Sequence, residues 1–155
     1  MSSKINQIFI DSSILVEFKK RTRTEFLFGL LAISELELAI NPIVLSEYTF
    51  YLLAIEGDKS PRSIKENGDI GSILNKDQPE QFLSIFKILQ NGNEIIPVYL
   101  HMMQEYNLLP NDALILASCK LHNIKALATY DTRDFMKACN AENILLIQDI
   151  SALNF

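Results

Sequence analysis

Five acidic residues stand where carboxylates are able to take part in chemistry: Asp11, Glu47, Asp112, Asp131 and Asp134. Asp11 ends the apolar run IFID, Asp131 ends ALATYD, and Asp134 follows one helical turn later. The carboxyl ends of parallel strands meet at one edge of a sheet, which is where binding sites form. Capping is the ordinary alternative, because an aspartate after a strand often caps the next helix and Asp131 with Asp134 could form a capping box.

Glu47 and Asp112 are expected on the inward sides of helices. Asn41 followed by Pro42 predicts a helix start. The residues three and four positions from Glu47 are all apolar or aromatic: Ile43, Val44, Phe50 and Tyr51. The predicted solvent side of this helix is a different stripe of residues: Ser46, Thr49, Leu53 and Glu56. Asp112 likewise shares a face with apolar residues: Ile115, Leu116 and Cys119.

Carboxylates that converge in this way need neutralisation. Two of them ~4 Å apart repel by about 4 kcal/mol at an effective dielectric constant near 20. No lysine or arginine stands at matching positions, so either some carboxyls are protonated or a hard divalent cation lies among them. Oxygen ligands favour Mg²⁺ or Mn²⁺ over zinc.

The elements that position these residues alternate along the chain. The runs IFID, LELAIN, EIIPVYL, KALATYD and ILLIQD predict five strands buried on both faces, because they are mostly continuous and apolar. Helix-like stretches lie between them, at 14–20, 25–35, 42–56, 79–90 and 110–122. This pattern predicts an α/β fold, with helices on both sides of a mainly parallel sheet. We interpret residues 1–155 as a single domain with a polar insertion at about 57–80, carrying a short helix near 61–66.

Composition excludes several classes of protein. The 155 residues are 48% hydrophobic and 21% charged, as in soluble globular domains, and no apolar run approaches the ~20 residues of a membrane span. The N-terminal apolar stretch is too short for a signal peptide, so we expect a cytoplasmic protein with no membrane contact. The two cysteines and two histidines lack zinc-ligand spacing. A phosphatase with an aspartyl nucleophile at Asp11 needs a second aspartate two residues later, where Ser13 stands.

Four of the fourteen basic residues form a short run: Lys19, Lys20, Arg21 and Arg23. The net charge of −5 argues weakly against a nucleic-acid partner. A solvated helix end is the ordinary interpretation of such a run. If a site for nucleic acid lies nearby, the run becomes a candidate for binding its phosphate groups.

Four segments together resemble a known family. IDSSILVEF, NPIVLSEY, NDALILASC and LATYDTRDF are similar, in this order, to the four motifs of PIN-domain ribonucleases, most of all the VapC-type toxins of toxin–antitoxin modules. The resemblance implies a three-layer α/β/α sandwich around a five-stranded sheet. It implies a metal-dependent endoribonuclease with Mg²⁺ or Mn²⁺ held by Asp11, Asp112 and Asp131. The catalytic acids would be these three and Glu47, supported by Asp134, Ser13 and Thr129.

The resemblance also implies partners. A ribonuclease toxin needs a cognate antitoxin protein, and the apolar residues crowded into 25–35 and 50–55 either belong to the core or form a surface for that partner. We also expect the chain to self-associate as a two-fold homodimer, the commonest closed symmetry. Compact toxins of this family usually lack so long an insertion and carry more positive charge. Two alternatives remain open on sequence: a non-catalytic RNA- or protein-binding module, and a DNA-directed nuclease.

Overall fold

The computed structural model describes residues 4–153. Five strands form one sheet in the order β3-β2-β1-β4-β5, and all four pairings are parallel. The strands are β1 (Gln7–Ile10), β2 (Glu37–Ile40), β3 (Lys87–Ile88), β4 (Ala126–Ala128) and β5 (Leu145–Ile147). The central strands β1 and β4 therefore lie side by side, and the residues that follow them meet at one edge.

Helices cover both faces of this sheet. They are α1 (Ser12–Lys19), α2 (Thr24–Leu31), α3 (Pro42–Gly57), α4 (Pro61–Glu66), α5 (Ile70–Asp77), α6 (Pro79–Leu83), α7 (Ile95–Tyr106), α8 (Pro110–Leu121) and α9 (Thr132–Glu142), followed by a 3-10 turn at Ile150–Ala152. Helix α1 packs with α2 and α3, while α7 and α9 pack with α8. The predicted three-layer α/β/α fold is confirmed. Within residues 4–153, no helix has both the length and the apolar character needed to cross a membrane.

The core explains why the strands are continuous apolar runs. Ile8, Phe9 and Ile10 of β1 are fully buried, as are all three residues of β4. A strand covered by helices on both faces has no wet side, so polar residues do not alternate along it. Asn41 caps α3 as predicted, because its side chain accepts a hydrogen bond from the backbone nitrogen of Val44 at 3.1 Å.

The prediction of a strand in EIIPVYL is wrong. This segment opens α7, where Pro97 lies in the first turn and needs no backbone donor. Val98, Tyr99, Met102 and Met103 turn inward at helical spacing. The third strand is instead Lys87–Ile88, within the stretch 79–90 predicted as helix. It has two residues and pairs with β2 at the sheet edge, so it is too short to show a hydrophobic period.

The polar segment after α3 is more regular than expected. The predicted short helix is present as α4, but residues 70–77 also form a helix, α5. Gly57 allows this packing, since a Cβ there would lie 2.5 Å from Cδ1 of Ile64 and 3.0 Å from Cδ1 of Ile73. Lys19 of α1 binds Glu56 at 2.7 Å and also Asp77 of α5. The helix α5 buries no residue of its own, and these tertiary contacts hold it in place.

Candidate active site

Asp11 occupies the end of β1 and is buried, with 3% of its surface exposed. Its Oδ2 atom accepts hydrogen bonds from Ser13 Oγ at 2.8 Å and from Thr129 Oγ1 at 2.7 Å. Although Asp11 stands at the N-cap position of α1, its side chain makes no capping hydrogen bond. The carboxylate is thus oriented by two hydroxyl groups, and capping does not account for it.

The same two hydroxyls connect the ends of β1 and β4. Ser13 Oγ accepts a hydrogen bond from the backbone nitrogen of Tyr130 at 3.0 Å. Thr129 Oγ1 accepts one from the backbone nitrogen of Asp131, also at 3.0 Å. Thr129 is fully buried, so this short network fixes the loop after β4 relative to Asp11.

Glu47 reaches the site from α3. It is half-buried and accepts hydrogen bonds from Ser12 Oγ at 3.3 Å and from Asn111 Nδ2 at 3.4 Å. Burial and the negative charges of Asp11 and Asp131 raise the pKa of Glu47, while the two hydrogen bonds oppose the rise. Sequence reasoning did not single out Ser12 and Asn111. The only signal was that each stands directly beside a candidate aspartate.

Asp112 lies in the first turn of α8 and faces the other acids. Burial raises its pKa to about 6, with further contributions from the negative charges of Asp11, Asp134, Glu47 and Asp131. Every one of the five predicted acids therefore contributes to one electrostatic cluster. The structure brings these residues together although they come from four separate segments of the chain.

Asp131 and Asp134 belong to the start of α9. Asp131 stands at the N-cap position, yet its side chain makes no capping hydrogen bond. Burial raises the pKa of Asp131, and the charges of Asp11 and Asp134 add to the rise. The capping-box alternative is not formed, since the side chain of Asp131 points to no backbone nitrogen of α9.

The donor chemistry of this cluster fits a hard divalent cation. All candidate ligands are carboxylate oxygens, and their mutual repulsion is relieved by a bound cation. Within residues 4–153, no three His, Cys, Asp or Glu side chains already form a closed metal-binding group. The fit to a cation therefore rests on the chemistry of the donors and on their shared negative charge.

A comparison with known protein families identifies the family of this chain. The family model for the PIN domain matches residues 8–140. This chain belongs to the PIN domain family.

Two curated relatives are identical to the chain at about a third of the aligned positions. Ribonuclease VapC2 of Methanocaldococcus jannaschii is 34% identical over 127 residues, covering 81% of this chain and 85% of the relative. Ribonuclease VapC6 of the same organism is 33% identical over 142 residues, covering 85% and 92%.

Two solved structures are similar to the fold of this chain. A toxin–antitoxin complex from Klebsiella pneumoniae contains a chain with 26% identity and a TM-score of 0.58, covering 83% of this chain and 89% of that one. VapBC2 from Rickettsia felis, solved with a promoter DNA fragment, gives a TM-score of 0.63 at 19% identity, covering 91% and 97%. At that identity the second likeness concerns the fold alone.

A cleft of ≈ 380 Å³ opens beside the acids of this PIN domain. Only part of the basic run 19–23 lines this cleft. Lys20 and Arg23 line the cleft together with Glu47 and Asp131. Lys19 does not, because it is held by Glu56 and Asp77. Its burial opposes the charge, but hydrogen bonds to these carboxylates raise the pKa of Lys19.

Arg21 is also outside the acidic cleft. It lines a separate pocket of ≈ 530 Å³ with several aromatic side chains: Phe18, Phe28, Tyr48 and Phe82. Arg21 and Arg23 both have left-handed backbone conformations, with φ of 61° and 47°. The turn between α1 and α2 therefore sends neighbouring basic side chains to different surfaces.

Proposed function

We propose that this protein is a metal-dependent endoribonuclease that hydrolyses RNA phosphodiester bonds. The observation that carries the proposal is the convergence of Glu47, Asp112, Asp131 and Asp134 on the buried, hydroxyl-bonded Asp11. The names of the curated relatives VapC2 and VapC6, both ribonucleases, give independent support.

We propose Mg²⁺ or Mn²⁺ as the cofactor, with Asp11, Asp112 and Asp131 as its ligands. When bound, such an ion lowers the pKa of a water ligand and neutralises charge on the phosphoryl oxygens. Ser13 and Thr129 hold one oxygen of Asp11 in a fixed direction. Asp134 adds a negative charge close to Asp112 and Asp131, which would strengthen the attraction of the site for a cation.

Glu47 is suited to receive a proton from the attacking water. Its raised pKa brings it closer to neutral pH, where a general base works best. Ser12 and Asn111 orient the carboxylate by hydrogen bonds, and Glu47 lines the cleft. No side-chain nucleophile is needed: the water oxygen would bond to phosphorus as the bond from phosphorus to the leaving ribose oxygen breaks, and that oxygen would take up a proton from solvent.

The test is cleavage of single-stranded RNA with and without Mn²⁺, by the wild type and by Asp11→Asn. Asp58→Asn is the matched control, since Asp58 is exposed at the end of α3 with a φ of 51° that asparagine tolerates. Metal-dependent cleavage that is lost only in Asp11→Asn supports the proposal. RNA binding without cleavage would indicate a binding module, and cleavage of DNA in preference to RNA would indicate a DNA-directed nuclease.

We further propose that the protein is the cytoplasmic toxin of a toxin–antitoxin module. The pocket of ≈ 530 Å³ lined by aromatic rings, with Phe28 59% exposed at its edge, suits apolar side chains of a cognate antitoxin. Such an antitoxin would also bring a lysine or arginine to the carboxylates. Slowed growth on expression of this chain alone, reversed by co-expression of the adjacent reading frame, is the expected outcome. Normal growth and no copurification would contradict the toxin assignment.

A homodimer is proposed on a different surface. Ile96 and Leu100 lie four residues apart on α7 and are 54% and 53% exposed, and Leu109 is 76% exposed. Residues at this spacing share one helix face. Sedimentation should give a dimer for the wild type and a monomer for Ile96→Asp with Leu100→Asp. A monomeric wild type at high micromolar concentration would contradict the proposal.

A further inference from the structure

A smaller pocket, distinct from the aromatic pocket of Arg21, shares a wall with the acidic cleft. It has a volume of ≈ 320 Å³, and the residues common to both cavities are Arg23 and Tyr130. Its remaining lining comes from α2 and from the segment leading into the final 3-10 turn: Glu25, Phe26, Gln148, Asp149 and Ile150. None of these five side chains lines the acidic cleft. The pocket thus lies directly beyond the Arg23–Tyr130 pair, and its volume is in the range of small-molecule sites.

The Arg23–Tyr130 pair is connected to Asp11 by a series of direct contacts. The Arg23 guanidinium carbon lies 4.7 Å from the centroid of the Tyr130 ring, and Tyr130 Oη donates a hydrogen bond to the Arg23 carbonyl at 3.3 Å. The backbone nitrogen of Tyr130 bonds Ser13 Oγ, which in turn bonds Asp11. Because each link is a direct contact, the position of this smaller pocket is fixed relative to Asp11.

The inner surface of the pocket suits a flat apolar group. The rings of Phe26 and Tyr130 have centroids 6.2 Å apart and are tilted by 56°. Ile150, 41% exposed, adds an aliphatic side chain to the lining. Gly29 of α2 permits this arrangement, because a Cβ there would lie 3.1 Å from Ile150 Cδ1. Aromatic and aliphatic walls of this kind bind unstacked nucleobases.

The polar groups of the pocket select what enters it. Glu25 and Asp149 carry carboxylates, and Gln148 adds an amide. An ionised carboxylate accepts hydrogen bonds but donates none. Two carboxylates repel a phosphate, so the negatively charged backbone of RNA is not the occupant. The lining favours a neutral planar group that presents N–H donors. Adenine, cytosine and guanine each present an exocyclic amino group with two N–H donors. Uracil presents a single ring N–H between two carbonyl oxygens, which the carboxylates repel.

We propose that this pocket binds the base of the nucleotide adjacent to the phosphodiester in the acidic cleft, with preference for bases that carry an exocyclic amino group. The inference rests on the proposed ribonuclease function. Arg23, on the shared wall, contacts the phosphate between the two sites. The pocket makes the enzyme selective at one position beside the cleaved bond.

Cleavage of a randomised single-stranded RNA with Mn²⁺, followed by sequencing of the product ends, tests this selectivity. Wild type should disfavour uracil about fivefold or more at one flanking position. Gln148→Ala, Glu25→Gln and Ile150→Ala should each reduce that preference while leaving other positions unchanged. Matched controls on exposed sites, Gln104→Ala, Glu105→Gln and Ile85→Ala, should retain it. An unchanged preference in all three pocket variants, or an equal rate loss for every sequence, would overturn the inference.

A binding measurement separates this inference from the proposed function. Asp11→Asn protein is titrated with fluorescein-labelled oligocytidine and oligouridine of equal length, which differ at the amino group of the base. Tighter binding of oligocytidine that is lost in Gln148→Ala supports the base subsite, even if the wild type cleaves no RNA. Equal affinities would overturn it. An arginine-rich peptide that binds the pocket while neither oligonucleotide does would assign the surface to a protein partner and also overturn it.

Discussion

Thr129 Oγ1 donates a hydrogen bond to Asp11 Oδ2 at 2.7 Å, across the boundary between strands β4 and β1. Both residues are buried, and the same hydroxyl accepts from the backbone nitrogen of Asp131. One hydroxyl thus orients the carboxylate at the end of β1 and shapes the loop that carries the carboxylate after β4. The relative positions of two proposed metal ligands depend on this contact.

Thr129→Val should separate this role from packing, because valine has nearly the same shape but no hydroxyl. We expect Mn²⁺ affinity to fall by roughly 10- to 100-fold, as when a group that hydrogen-bonds a metal ligand is lost. Unfolding free energy should fall by about 1–3 kcal/mol, since two hydrogen bonds are lost in a buried site. Calorimetric titration and urea unfolding measure the two effects. Thr129→Ser keeps the hydroxyl and should retain most of the affinity; equal losses in both variants would contradict the assignment.

Asp112 should make the stability of the metal-free protein depend on pH. Its folded pKa of about 6 lies above the ordinary value of 3.8, so the folded state binds the proton more tightly than the unfolded state does. Stability from this group is therefore greatest below about pH 4 and is lost as the pH rises through 6. At pH 7.5, Asp112→Asn should raise the unfolding free energy by about 1–2 kcal/mol after solvent screening.

Thermal unfolding of wild type and Asp112→Asn at several pH values measures this effect. The two melting temperatures should converge below pH 4. A constant difference at all pH values would show that the stabilisation has another cause.

Divalent metal should stabilise the wild type and not the ligand variants. A cation relieves the repulsion among the carboxylates and binds only the folded state, so millimolar Mn²⁺ should raise the melting temperature. Asp11→Asn and Asp112→Asn should lose most of the increase, whereas Asp58→Asn should keep it. Equal melting temperatures for the wild type with and without Mn²⁺ would argue against a metal site at these acids.

Lys20 and Arg23 should account for the phosphate contacts of the basic run. In the Asp11→Asn background, replacing both with alanine should flatten the dependence of log affinity for single-stranded RNA on log salt by roughly one to two units. Lys59→Ala with Arg62→Ala, on the exposed segment around α4, is the matched control and should leave the slope unchanged. If the slope is the same in all three proteins, Lys20 and Arg23 do not contact RNA phosphates.

Lys19 should contribute to stability instead. Its ammonium joins α1 to Glu56 and Asp77, and its side chain is only 20% exposed. Lys19→Met keeps the apolar stem but leaves the two carboxylates unpaired, so we expect a loss of roughly 1–3 kcal/mol in unfolding free energy. Urea unfolding measures the loss, and Lys65→Met on the exposed surface of α4 is the control. A loss no larger than that of the control would show that the pairing of Lys19 contributes little stability.

The sequence by itself determined the fold class and the composition of the acidic cluster. Continuous apolar runs such as IFID mark strands buried on both faces, and an aspartate directly after such a run must lie at the edge where parallel strands end. Helical spacing likewise predicted inward faces for Glu47 and Asp112. Both are half-buried in the structure, although Phe50 and Tyr51, two of the neighbours used to place Glu47, are 55% and 48% exposed. These features depend on local periodicity, which a sequence carries directly.

Only the tertiary structure decided features that depend on partners distant in the chain. EIIPVYL satisfies the composition of a strand, but packing of α7 against α8 selects the helix, while the two-residue β3 is held by pairing with β2. The turn with left-handed backbone at Arg21 and Arg23 places Arg21 in the aromatic pocket and Arg23 in the acidic cleft. Ser12 and Asn111 meet Glu47 across 35 and 64 positions of sequence. Such contacts form when the chain closes around its core, and no local pattern encodes them.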